Sequence, residues 1–138
     1  MLDKYENPWM YNGVEFNSDD IDNYVGFVYL ITNTKNDRKY IGKKTFWSSK
    51  TKQVNKKKKK FKVESDWKSY YGSSDLLLTD VEKYGIHTFK REILRLCKTK
   101  GEASYFEAKE QFLVDAVIDS MYYNTWISVR VRRSHLKL

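Results

Sequence analysis

Apolar positions along the chain fall into separable patterns, each predicting a different element. Gly26-Phe27-Val28-Tyr29-Leu30-Ile31 is a short run rich in β-branched and aromatic residues, and Tyr40-Ile41-Gly42 is a second. Turn formers connect them (Asn33-Thr34-Lys35-Asn36-Asp37-Arg38), so the stretch predicts a β-hairpin. In its first strand Phe27, Tyr29 and Ile31 face one side, and Val28 and Leu30 the other. Both sides are apolar, which predicts a strand covered on both faces. A two- or four-residue loop puts Tyr29 and Tyr40 on one face, whereas a three-residue loop separates them. Asn36-Asp37 suits a two-residue turn, which favours the shared face.

Farther on, Ser73-Ser74-Asp75 predicts a helix start with a serine N-cap, Leu77, Leu78, Val81 and Tyr84 as its buried stripe and Gly85 at its C′ position. The segment 87–97 reads as a strand carrying Phe89, Ile93, Leu94 and Leu96, with His87 just after the turn. Gly101 precedes the longest predicted helix, spanning residues 102–118. On a wheel of about 100° per residue with Phe106 at zero, Leu113 and Val117 lie within about 20° and Glu110 about 40° away. Glu110 is thus a carboxylate inside the apolar face, where it must be paired, protonated or bound to a metal. Glu107 falls beyond the stripe and is expected in solvent. Tyr122-Tyr123-Asn124-Thr125-Trp126 then returns to the core.

The remaining segments are organised by charge. Residues 1–24 mix Tyr5, Trp9, Tyr11 and Phe16 with Glu15, Asp19, Asp20 and Asp22, which predicts an arm packed over the domain. From 43 to 62 the chain turns cationic: Lys43, Lys44, Lys50 and Lys52, then Lys56, Lys57, Lys58, Lys59 and Lys60 in a row, then Lys62. Consecutive lysines repel and bury nothing, so a solvated loop is expected over 50–62. The final residues, 128–138, form a basic tail with Arg130, Arg132, Arg133, His135 and Lys137.

With 138 residues, no repeat and no second composition, the chain is one domain over 25–127 plus the arm and tail. Aromatic content of 16% favours a compact fold over disorder. A net charge of +8 suggests a polyanionic partner, nucleic acid first. Cys97 is the only cysteine, so neither an internal disulfide nor a cysteine-cluster zinc site can form; a core position and a reducing, cytoplasmic setting are expected. No long apolar run suggests a membrane span, and Met1-Leu2-Asp3-Lys4-Tyr5-Glu6 does not read as a signal peptide.

In order and spacing, these features resemble the GIY-YIG nuclease family. Gly26-Phe27-Val28-Tyr29 stands for the first motif and Tyr40-Ile41-Gly42 for the second; Gly72-Ser73-Ser74 through Gly85, then 89–94, is similar to the middle helix and third strand. Glu110-Gln111-Phe112 resembles the glutamate helix, and Tyr123-Asn124 the closing asparagine. The likeness is strongest to small free-standing phage enzymes of the homing-endonuclease type, also through Glu64-Ser65-Asp66-Trp67 and Tyr70-Tyr71-Gly72-Ser73-Ser74.

The resemblance implies a small α+β fold with a three-stranded antiparallel sheet flanked by helices, and metal-assisted hydrolysis of double-stranded DNA in the host cytoplasm. By position, Glu110 would hold Mg²⁺ or Mn²⁺, Tyr40 would orient or deprotonate water, Tyr29 would lie close to the phosphate and Asn124 would lend a hydrogen bond. The family expects an arginine after the second motif, but none occurs between Arg38 and Arg91. Ungapped counting puts that position at Lys50, with Lys43 and Lys44 as nearer substitutes and Arg91 as a distant one. Lys43, Lys44, the five consecutive lysines, Arg132 and Arg133 are the expected DNA contacts. Cutting both strands with one active site implies a homodimer or two successive nicks. The alternative is a non-catalytic nucleic-acid-binding module on the same fold, or an accessory protein brought to nucleic acid by its loop and tail.

Overall fold

The computed structural model describes residues 6–136. In chain order these form β1 (Met10–Tyr11), β2 (Val14–Glu15), β3 (Gly26–Asn33), β4 (Lys39–Thr45), β5 (Trp47–Val54), β6 (Lys57–Glu64), α1 (Asp75–Tyr84), β7 (Phe89–Cys97) and α2 (Lys100–Leu113). The sheet runs β2-β1-β7-β3-β4, and β5-β6 stand as a separate two-stranded sheet. The expected three antiparallel strands are present as β7-β3-β4. They are widened to a mixed five-stranded sheet because β1 pairs parallel with β7 and antiparallel with β2. Tyr5 of the N-terminal segment and Lys137 of the basic tail lie outside the described residues.

The hairpin loop has four residues, not two. The Asn33 amide donates to the Arg38 carbonyl at 2.8 Å, leaving 34–37 as the loop, with Asp37 in the left-handed region at φ 66°. The even count keeps the expected parity: Ile31 pairs with Tyr40 and Tyr29 with Gly42, so both tyrosines lie on one face.

Each face of β3 is buried against a different layer. Phe27, Tyr29 and Ile31 join Trp9, Phe16, Phe46, Trp67 and Phe89 in an aromatic core. The N-terminal segment belongs to that core, since Trp9 is fully buried and its Nε1 donates to the Trp67 carbonyl at 2.7 Å. On the other face Val28, Ile41 and Cys97 pack against Ala103 and Phe106 of α2. Burial, with the nearby Glu102 charge adding to it, pushes the Cys97 thiol up to about 11, consistent with a packing role. Arg91 is the largest buried charged side chain. Its guanidinium donates to the carbonyls of Asn7, Lys68 and Tyr70 and lies against the Trp9 and Tyr71 rings. It thereby holds the N-terminal segment, the strand and the loop together.

The helices are where the apolar pattern misled most. In α1 the Ser74 hydroxyl accepts from the Leu77 amide at 3.3 Å and Gly85 closes the helix at φ 87°, both as expected, but Leu78 is exposed. α2 ends at Leu113 rather than at 118, because Asp115 turns left-handed at φ 52°. Val117 and Ile118 are therefore off the helix and exposed, as is Leu113 at its last turn. Without them the buried arc rotates toward Gln111, which is buried, and Glu107, which is half-buried. Glu107 is accordingly not the solvated residue the wheel suggested.

The lysine run is not a loop. It forms β6, paired with β5 along the whole length of both strands, and Asn55 and Lys56 make the turn at φ 50° and 61°.

Candidate active site

β4 contributes Tyr40 and Lys43 to an open cleft of about 600 Å³, whose lining also includes Ser73, Asp75, Glu107 and Asn124. Glycine explains how the tyrosines fit. A Cβ on Gly42 would run into the Tyr29 hydroxyl and the Tyr40 ring, and Gly72 holds φ +91° with both tyrosines close by. Tyr29 therefore lies fully buried between two glycines, its ring centroid 6.1 Å from that of Tyr40 and 6.1 Å from that of Tyr70. It supports the cleft from behind and does not line it. Tyr40 does reach the cleft, its hydroxyl 3.4 Å from the Ser73 hydroxyl.

Asn124 is held on β4 by a paired grip. Its Oδ1 accepts from the Ile41 amide at 3.1 Å, and its Nδ2 donates to the Ile41 carbonyl at 2.8 Å. Gln111 of α2 donates to the same carbonyl at 3.0 Å. One residue earlier, the Tyr123 amide donates to the Lys39 carbonyl at 2.7 Å, so the segment after α2 follows the outer edge of β4. The Tyr123 hydroxyl donates to Asp80 of α1 at 2.7 Å and accepts from Asn33 at 3.0 Å. Strand edge, loop and helix are tied at one point. Trp126 ends this segment on the cleft rim, exposed rather than returned to the core.

The charges in the cleft are unbalanced in an informative way. Burial raises the Glu107 carboxyl above its ordinary value, opposed by the Lys43 charge and backbone amide. Lys43 itself donates to the Ser104 hydroxyl at 2.6 Å. Burial also raises the Tyr40 hydroxyl, with the Ser73 hydrogen bond opposing and Tyr70 and Glu107 adding to the rise. Tyr29 is raised well above the ordinary tyrosine value, first by burial and then by Tyr70 and Tyr40. At neutral pH both tyrosines carry their protons.

The structure thus brings Tyr40 and Asn124 together with Lys43. It adds Glu107, Ser73 and Asp75, none of which stood out as a site residue in the sequence. Glu110 is half-buried but does not line the cleft, Lys50 lies exposed on β5, and Lys44 pairs with Asp66 at 2.6 Å over the Tyr70 ring. Arg132 and Arg133 are exposed on a tail whose next turn is tied to α2 where the Thr99 hydroxyl donates to the His135 carbonyl at 2.9 Å. His87 is exposed beside Glu6 at 3.8 Å.

A cation would find a suitable but sparse donor set. Among the described residues no group of three or more His, Cys, Asp or Glu side chains gathers to hold a metal. What the cleft offers is one half-buried hard carboxylate, Glu107, with the Lys43 charge acting on it, and a second carboxylate on the wall, Asp75. Mg²⁺ commonly accepts such a site, keeping waters and adding substrate phosphate oxygens. No helix of the described residues is long and apolar enough to cross a membrane.

Residues 9–127 match the family model described as "Putative endonuclease segE, GIY-YIG domain". The chain is also 34% identical over 99 residues to a protein of Enterobacteria phage T4 described as "Putative endonuclease segE". That match covers 71% of this chain but 39% of the relative. No solved structure matches.

Proposed function

Because the chain belongs to the GIY-YIG endonuclease family represented by segE, we propose that the cleft lined by Tyr40, Lys43 and Glu107 hydrolyses DNA phosphodiester bonds with one divalent cation held by Glu107. The observation that carries this reading is the position of Glu107: half-buried, raised by desolvation, and lining the same cleft as Tyr40 and Lys43. A bound Mg²⁺ or Mn²⁺ would supply positive charge to the scissile phosphate and its departing oxygen.

The chain's own residues then take distinct parts. Tyr40, protonated at neutral pH, places a hydroxyl at the cleft to orient the attacking water by a hydrogen bond. Lys43 contributes charge where the family uses an arginine, although without a guanidinium's two-pronged fit to phosphate. Asn124 and Gln111 act on Ile41, between Tyr40 and Gly42, and are positioning residues. Tyr29 fills the space beneath Tyr40. Glu110, which does not line the cleft, is the competing carboxylate for the metal.

Supercoiled plasmid incubated with the parent protein and Mg²⁺, beside EDTA controls and Tyr40→Phe, tests this function. Nicking or linearisation that requires Mg²⁺ and falls about a hundredfold in Tyr40→Phe supports it. No cleavage by any sample with intact DNA binding favours the second reading, a non-catalytic DNA-binding module. One observation speaks for that reading: no arginine lines the cleft among the described residues.

A further inference from the structure

We propose that the β5–β6 ribbon is an arm that enters the major groove of duplex DNA, with its two faces turned to the two phosphate walls. The inference rests on the reading of the chain as a DNA nuclease and specifies how such a protein holds its substrate.

The ribbon's construction points to a ligand. Eight residues pair with eight, from Trp47 opposite Glu64 to Val54 opposite Lys57. At about 3.4 Å per residue the arm is roughly 27 Å long. Apart from half-buried Val54 and Val63, every residue of both strands is exposed. A lone two-stranded ribbon is marginally stable in water. This one carries an added cost, because Lys52 lies directly opposite Lys59 and like charges across a pair destabilise it. A sequence that breaks a local rule this way points to a functional constraint, and a polyanion would remove the cost.

The distribution of charge selects the shape of that polyanion. Pairing register places Lys50, Lys52, Lys57 and Lys59 on one face, and Lys58, Lys60 and Lys62 on the other. A flat anionic surface could neutralise only one of these faces. A groove flanks the ribbon with phosphates on both sides. The major groove is about 12 Å wide and admits a two-stranded ribbon, whereas the minor groove, at about 6 Å, does not without being opened. Between the lysines of the second face sit Thr51 and Gln53, whose hydroxyl and amide groups can donate to the same phosphate wall.

The root is fixed while the shaft is free. Only Phe46 separates β4 from β5. The Ser65 amide donates to the Phe46 carbonyl at 2.8 Å, and the Ser65 hydroxyl to the Thr45 carbonyl at 2.6 Å. Glu64 at the base accepts from the Ser18 hydroxyl at 2.5 Å and from Trp67 Nε1 at 2.8 Å. The arm therefore continues from the strand that carries Tyr40 and Lys43.

Fluorescence anisotropy with a labelled 20-base-pair duplex, in EDTA and across a salt series, tests the arm without requiring cleavage. Two variants neutralise one face each, Lys50→Gln/Lys52→Gln/Lys57→Gln/Lys59→Gln and Lys58→Gln/Lys60→Gln/Lys62→Gln. Each is expected to lower the slope of log K against log salt by about 0.9 for every phosphate no longer neutralised, hence by about 2 or more. Methyl green, a major-groove ligand, should displace the parent, and netropsin, a minor-groove ligand, should not. If a variant fails to fold, replacing 51–60 by an Asn-Gly turn, with Lys50→Gln and Lys62→Gln, should reproduce the combined loss. A slope change from one face alone, displacement by netropsin but not by methyl green, or no change from either face overturns the proposal. A protein that shows the expected binding pattern yet never cleaves loses its nuclease assignment and keeps the arm.

Discussion

The Asn124 side chain grips both backbone groups of Ile41, accepting from its amide at 3.1 Å and donating to its carbonyl at 2.8 Å. β4 is a sheet edge, and an unpaired edge residue between Tyr40 and Gly42 would leave the cleft wall free to shift. The amide of Asn124 supplies what a neighbouring strand would have supplied. Asn124→Ala removes both bonds and leaves the buried Ile41 amide without that partner, while Gln111 still serves the carbonyl. It should lower the unfolding free energy by about 1–3 kcal/mol in urea titrations. Asn124→Asp should do no better, because its carboxylate would face the Ile41 carbonyl.

Gly42 and Tyr29 should behave as a coupled pair. A methyl at Gly42 would collide with the Tyr29 hydroxyl, so Gly42→Ala should cost about 1–3 kcal/mol. In Tyr29→Phe the nearest atom is gone, and the double variant should recover at least about 0.5 kcal/mol relative to the sum of the single variants. Strict additivity in a double-mutant cycle would contradict the close approach.

Arg91→Lys should be severe, although the charge is kept. The guanidinium serves carbonyls of Asn7, Lys68 and Tyr70 at once, and an ammonium cannot reproduce that fork. A loss of about 3 kcal/mol is expected from the carbonyls left without partners, read from denaturant midpoints. Arg91 is also a case in which sequence could not have decided the role. With no arginine between Arg38 and Arg91 it stood among the substitutes for the family's arginine, and only the long-range partners, 21 and 84 residues away, show that it is engaged in holding the core.

The same contrast runs through the site. The hairpin, its doubly buried first strand, the serine cap of α1 and the shared face of Tyr29 and Tyr40 were legible because each depends on local chemistry or on parity along a strand. Glu107 was not. The wheel for α2 gave weight to Val117, yet the helix had already ended at Leu113 through the left-handed Asp115, a backbone event with no periodic signature. Five lysines in a row read as a solvated loop because nothing local favours pairing them. The strand becomes visible only once β5 is seen opposite and Asn55-Lys56 as the turn.

The buried carboxyl makes a pH prediction with a definite sign. Burial lifts Glu107 above the ordinary 4.5, so the native state keeps its proton to higher pH than the unfolded chain does. Where the native state binds more protons, the unfolding free energy falls as pH rises. The parent should therefore lose stability relative to Glu107→Gln as pH climbs from about 4.5 through the raised native value toward neutrality. Without metal, Glu107→Gln should be the more stable protein at pH 7. Added Mg²⁺ should raise the melting temperature of the parent and leave that of Glu107→Gln unchanged.

The most direct measurement is cleavage of supercoiled plasmid in Mg²⁺ by the parent, Glu107→Gln and Glu110→Gln side by side, each first shown to be folded and to bind duplex DNA. The geometry of the cleft predicts that Glu107→Gln loses at least about a hundredfold in rate while Glu110→Gln stays within about threefold of the parent. Parental cleavage by Glu107→Gln, with activity lost instead in Glu110→Gln, would contradict it.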